Sequence, residues 1–221
     1  SLFIIFNPSY SATITSFQSG NWSVGSTWVG GSVPGSGDDV VIANGHTVTV
    51  DGDYTCLSVT ILTGGTNTTL IIGGTNTLNV TGSITIQNAT TNGVNKTVNV
   101  GAGTITCASV TMNATTADSR DGIIIISTGT MTVTGNITMA SSAARHHIDF
   151  TSNGNLYIGG NLIQGGLSQT AGSGSTVYFN AAGDQTITPN AANGYSFYNL
   201  RIQNSGTKSL GQAISTRNLS I

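Results

Sequence analysis

The chain has 221 residues, 38% hydrophobic and only 6% charged, with a formal net charge of −2 from six basic residues and eight acids, all of them Asp. An ordinary soluble domain carries roughly 25% charged residues, so solubility here must rest on Thr, Ser, Asn and Gly. Charge this thin provides neither the basic stripe that neutralises nucleic-acid phosphates nor a basic amphipathic helix for a membrane surface, and neither partner is expected.

The first 37 residues carry no charge and open on Leu2-Phe3-Ile4-Ile5-Phe6, a run too short to span a bilayer. With the small residues Ser9 and Ser11 behind it at cleavage-site spacing, residues 1–12 read as the remnant of a secretory signal peptide. The competing reading is an apolar first strand. Residues 13–38 hold Trp22 and Trp28, the only tryptophans, among closely spaced glycines. That is the pattern of a cap over the open end of a repetitive body, which would occupy residues 39–221 and break off within a repeat at its C-terminal end.

Repetition dominates the remainder. The heptad TCLSVTI at 55–61 returns as TCASVTM at 106–112, with weaker copies at 80–86, 133–139 and 158–164. The apolar position of Val59 recurs at Ile84, Val110, Ile137 and Leu162, in steps of 25, 26, 27 and 25 residues. Internal periods of this size indicate a solenoid. The segments beginning at Leu70, Val98, Ile124, Ile148 and Val177 read as successive equivalent strands. Thr47–Val50, Thr77–Val80, Thr104–Cys107, Thr130–Val133 and Asn155–Ile158 read as the next set, each alternating in the manner of a strand with one buried face. Gly45, Gly103, Gly129 and Gly154 stand at the breaks, where a positive φ is expected. The expected fold is all-β: a right-handed parallel β-helix (β-solenoid) of about 25–28 residues per coil with an N-terminal cap.

Coils stack about 4.8 Å apart. In this register Cys56, Val80, Cys107, Val133 and Ile158 form one inward column. The two cysteines then lie two coils apart, beyond the reach of about 7 Å that a disulfide allows, and two reduced, buried thiols are expected.

Several segments bear a resemblance to known families. Gly20-Asn21-Trp22, Ser26-Thr27-Trp28, Gly30-Gly31, Pro34, the run Gly37 to Ile42 and the run Gly45 to Val50 resemble the eight-glycine module of secreted and cell-surface proteins. The later coils, with GDQTITPNAANGYSFYNLRIQNSG, look like the repeats of bacterial surface proteins exported by the type nine secretion route. The resemblance implies an extracellular or cell-surface structural or adhesive body, and it brings no catalytic residue that can be placed on this sequence; a structural module of this kind is expected to self-associate through its ends or a lateral face.

Polysaccharide lyases and hydrolases share the fold class, so carbohydrate binding or degradation is the alternative. Glycoside hydrolysis needs paired carboxyl groups across a cleft. The one concentrated set of ionisable residues is Asp118, Arg120, Asp121, Arg145, His146, His147 and Asp149. Register places Asp121 beside Arg145 and Gly122 beside His146, making Asp121, Arg145, His146 and His147 the candidate ligand-binding residues. A plain cross-coil ion pair accounts for them equally well. Asp38, Asp39, Asp51 and Asp53 offer hard oxygens that could hold calcium, or simply form turns; no other cofactor is expected. Neither a nucleophile elbow nor a phosphate-binding glycine loop is present. Thr47, Thr77, Thr104 and Thr130, with Thr49, Asn79, Thr106 and Thr132 beside them, would form a flat Thr-x-Thr array suited to ice, unless Thr simply suits a solvated strand. Val41, Ile71, Ile125 and Tyr178 would leave an apolar outward face needing cover.

Overall fold

A computed structural model describes residues 11–113, 120–139, 145–169, 174–189 and 195–221. Residues 1–10 of the segment read as a signal-peptide remnant, and Asp118, lie outside them. The described residues form three parallel sheets of nine, seven and eight strands, a β-solenoid of about seven turns. Two short 3-10 turns, Gly25–Thr27 and Val29–Gly31, are the only helical segments described.

From Asp39 to Phe179 each coil sends one strand to each sheet in turn, whereas the N-terminal coil lacks a third-sheet strand and the described coils after Phe179 lack a second-sheet strand. In the first sheet Val40, Val59, Ile84, Val110, Ile137, Leu162 and Ile187 stand in one buried column that ends at the exposed Leu210, and it contains the expected repeat of Val59 without a slip. Strict alternation explains this regularity: Ser58–Ile61, Ser83–Ile86 and Ser109–Met112 each bury their second and fourth residues, and a slip of one residue would turn both to solvent. The core is a continuous stack of Val, Ile, Leu, Met and Phe with Cys56 and Cys107 among them.

Two coils depart from the expected register. Thr47–Val50 pairs with Thr69–Ile72 in the second sheet, and the third-sheet position of that coil is taken by Tyr54–Cys56, paired to Leu78–Val80. Val177 does not follow Ile148: it pairs with Leu156 in the third sheet, and Leu167 stands beside Ile148. The cause is a sharp corner at Gln164 and Gly165, with φ of 58° and 68°. It turns the chain from the first sheet into the second directly after Leu162–Ile163 and shortens that part of the coil.

Of the break glycines, Gly45 has the expected positive φ of 89°. Gly103, Gly129 and Gly154 do not, and glycine is required there by close approach instead. A Cβ on Gly129 would sit 2.2 Å from the Gly103 carbonyl oxygen, and one on Gly154 would sit 2.7 Å from that of Ser127. The column forms the corner where successive coils touch backbone to backbone.

The N-terminal segment is itself a partial coil. Thr13–Thr15 pairs with Asp39–Val41 and Gly20–Asn21 with Val48–Thr49. Trp22 and Trp28 meet edge to face with centroids 5.0 Å apart, Tyr54 stacks on Trp22 at 5.7 Å, and the Trp28 indole N–H donates to the Trp22 carbonyl at 2.8 Å. Both tryptophans are buried, so they close the first core layer as a lid. At the opposite end Leu210, Leu219 and Ile221 are exposed around an apolar cavity that reaches Ile187 and Leu200.

Candidate functional site

The ionisable cluster sits at the start of two neighbouring second-sheet strands, Arg120–Ile126 and His146–Phe150. Gly122 pairs with His146, Ile123 with His147 and Ile125 with Asp149, the placement that repeat alignment gives. Alternation then divides the four candidates. Arg145 and His147 point outward, whereas His146 points into the core, buried to 2% exposure. The absent side chain of Gly122 leaves it room: a Cβ there would touch the imidazole at 3.5 Å.

His146 Nε2 lies 2.5 Å from the Asn113 carbonyl oxygen. A carbonyl can only accept, so Nε2 carries the proton. Burial lowers its pKa, against the pull of the Asn113 and Arg145 carbonyls and Asp121. It is a neutral core residue, fixed in one tautomer.

On the outer face, Arg145 Nη1 lies 3.7 Å from Asp121 Oδ1, a loose ion pair. His147 Nε2 contacts Asp149 Oδ2 at 3.1 Å, and the Ser168 hydroxyl donates to the other carboxylate oxygen of Asp149. Burial opposes the charged ring of His147, but the hydrogen bond and charge of Asp149, with help from Asp121, raise its pKa above the ordinary value. Asp149 is shifted the other way: burial would raise it, and His147 and Ser168 together lower it. The arrangement is therefore two charge pairs side by side on the outward face of neighbouring strands. It brings Asp121, Arg145 and His147 to one edge and separates His146 from them. Ser168, the third member of the His147–Asp149 group, could not be found by repeat alignment because it belongs to the shortened coil.

The four carboxylates considered for calcium serve as local anchors. Asp38 accepts from the N–H groups of Gly35 and Ala12, and Asp39 from the hydroxyls of Ser11 and Ser58. Asp51 accepts from both the N–H and the hydroxyl of Ser23, and Asp53 from the N–H of Thr77. Among the described residues no three His, Cys, Asp or Glu side chains come together in a metal-binding arrangement.

The outward ladders also differ from the expected ones. Thr77, Thr104 and Thr130 line up in the third sheet, with Asn79, Thr106 and Thr132 beside them, but Thr47 and Thr49 belong to the second sheet. The third-sheet ladder passes into Tyr157, Tyr178 and Arg201. The two tyrosine rings stack at 4.2 Å and the Arg201 guanidinium lies 5.9 Å from the Tyr178 centroid. A more regular ladder runs along the first sheet: Thr60, Thr85, Thr111 and Thr138, beside Ser58, Ser83 and Ser109. The repeated Ser-x-Thr triplets at 58–60, 83–85 and 109–111 were its signal in the sequence. The supposed apolar face dissolves, because Val41 lies in the first sheet, Ile71 and Ile125 in the second with Asn99 between them, and Tyr178 in the third.

A second polar group was hidden by its burial. Thr68, Lys96, Gly122 and His146 occupy one column of the second sheet, and Thr68, Lys96 and His146 are buried. Parity gives the signal: Lys96 shares the inward phase of Val98 and Val100.

No family model, curated protein or solved structure matches this chain.

Proposed function

We propose that the chain is a structural and adhesive β-solenoid of a secreted or cell-surface protein, acting as a rigid spacer whose lateral faces make contacts, and not as an enzyme. One observation carries this reading. Among the described residues the ionisable groups of the concentrated edge are engaged with one another, Asp121 with Arg145 and His147 with Asp149 and Ser168, while the neighbouring faces repeat Ser, Thr and Asn at coil spacing. Such a surface presents many equivalent weak hydrogen-bonding positions rather than one reacting centre. The resemblance of residues 20–50 to the eight-glycine module, and of the later coils to type nine secretion substrates, supports an extracellular setting. Electron microscopy of the purified chain tests the scaffold reading: rods that associate through ends or sides support it, and monodisperse single particles at high concentration count against self-association.

Carbohydrate binding along the third sheet is the second reading, favoured by the passage from the Thr and Asn ladder to Tyr157, Tyr178 and Arg201. Hydroxyl and amide ladders offer hydrogen bonds to a polysaccharide, and an aromatic group beside a cation adds a firm anchor. A glycan array read with the wild type, Tyr178→Ala and Arg145→Ala separates the two candidate faces. The Ser-x-Thr ladder of the first sheet gives the ice-binding reading its surface, and a thermal-hysteresis measurement decides it.

A further inference from the structure

Lys96 is fully buried, and its side chain runs back along the solenoid axis, past Thr68, to the coil that holds Asn44. Nζ lies 2.8 Å from Asn44 Oδ1, 2.7 Å from the Thr66 carbonyl oxygen and 2.8 Å from Thr68 Oγ1. All three acceptors are neutral. A buried ammonium held only by neutral groups is disfavoured relative to the free amine, and burial draws the pKa of Lys96 down to about 8. A desolvated lysine of this kind is a nucleophile.

The carboxamide facing it is held still. Asn44 Oδ1 also accepts the Thr66 N–H at 3.0 Å. Gly64 presses against it so closely that a Cβ there would lie 2.3 Å from Asn44 Cγ. Thr68 Oγ1 is fixed in turn by the Gly45 N–H at 3.0 Å. An amine, an immobilised amide carbonyl, an N–H donor on its oxygen and a hydroxyl touching the amine are thus gathered in one partly buried corner.

We infer that Lys96 and Asn44 are a cross-linking pair, joined by an amide bond between Nζ of Lys96 and Cγ of Asn44 that ties together coils two turns apart. The amine lone pair attacks Cγ, one bond beyond the oxygen it already contacts. Negative charge developing on Oδ1 is met by the Thr66 N–H. The bond from Cγ to Nδ2 breaks, the proton given up by Nζ goes to the departing nitrogen, and ammonia leaves. Two covalent partners become a secondary amide and ammonia, with no oxidant or other reactant. Fixing the two groups in contact supplies the effective concentration that amide exchange lacks in solution. In an array where each coil is held only by its neighbours, the bond is a staple across three of them, a property beyond the scaffold reading itself.

Peptide mapping of the wild-type chain decides the matter without depending on a variant that folds. After denaturation, trypsin should fail to cut after Lys96. Chymotrypsin, which cuts between the two residues at Tyr54, should release a branched peptide containing Asn44 and Lys96, lighter than its two linear parts by one ammonia. Asn44→Ala and Lys96→Arg should each give linear peptides only. Unmodified Asn44 and Lys96 in linear peptides would overturn the proposal. So would loss of ammonia from an Asn44-Gly45 peptide with Lys96 free, since that marks cyclisation of Asn44 onto its own backbone.

Discussion

Cys56 and Cys107 stand in the same inward column of the third sheet, two coils apart, and both are free and buried. Val80 pairs with Cys56, and Val133 with Cys107, so the column is filled by small apolar side chains throughout. Burial pushes both thiols up to about 12, with Asp39 and Asp38 adding to the shift at Cys56. Neither should react with a water-soluble thiol reagent at pH 8 until the chain is unfolded, when both should be labelled. A mass that rises on reduction of the untreated protein would reveal a disulfide and refute the coil register.

Stability should depend on pH through His147 and Asp149. The folded pKa of His147 is raised, so its contribution is complete below its unfolded value of about 6.5 and is lost as pH rises through the folded value. That of Asp149 is lowered, so its contribution is complete above about 3.9 and is lost as pH falls through the folded value. The pair therefore contributes most between roughly pH 4 and 6.5. Urea unfolding across pH 5 to 8.5 should show a decline on the alkaline side that His147→Gln removes; an unchanged slope in the variant would assign the decline elsewhere.

The glycine corners carry a graded expectation. Gly129→Ala forces a methyl against the backbone of Gly101, Ala102 and Gly103, atoms that cannot move without disturbing the coil below, and should cost roughly 1–3 kcal/mol. Gly183→Ala meets nothing within 4 Å and has no positive φ, so its unfolding midpoint should hardly change. Equal effects at the two sites would mean that close approach is not what selects glycine at residue 129.

Arg145→Ala should alter stability by about 0–1 kcal/mol, since the contact with Asp121 is long and partly solvated. A larger loss in thermal unfolding would show that the edge has a structural role beyond a surface pair.

Trp28→Ala removes half of the aromatic lid and its hydrogen bond to the Trp22 carbonyl, and should cost about 3–5 kcal/mol. In an array stabilised by neighbour contacts the loss should begin at the capped end. Hydrogen exchange should therefore rise first in the coil of Val40 to Cys56, and uniform exchange along the chain would contradict that order.

Much of the fold was legible because stacking coils needs only self-similarity. The Val59 column, the cysteine column and the pairing of Gly122 with His146 all follow from repeated alternation, which sets axial register without knowledge of the corners. The corners themselves were less legible. Gly103, Gly129 and Gly154 announced breaks, but the reason for glycine there is contact with the coil below, a relation between residues about 25 positions apart. Gln164 adopts a positive φ that its residue type does not announce, and it shortens the coil that brings Ser168 to Asp149. The candidate site was half legible for the same reason: alignment set Asp121 beside Arg145, whereas inward parity separated His146 from His147 and buried Lys96.

By itself the sequence determined that the chain winds into stacked parallel coils, which residues lie above one another, and that the cysteines stay apart, because a period and an alternation fix height along the axis and the choice between core and solvent. Only the tertiary structure decided which of three sheets each strand joins, which ladder runs unbroken, and that Lys96 reaches Asn44. Those depend on the angle of each corner and on side chains extending along the axis between coils, distances that no local pattern encodes.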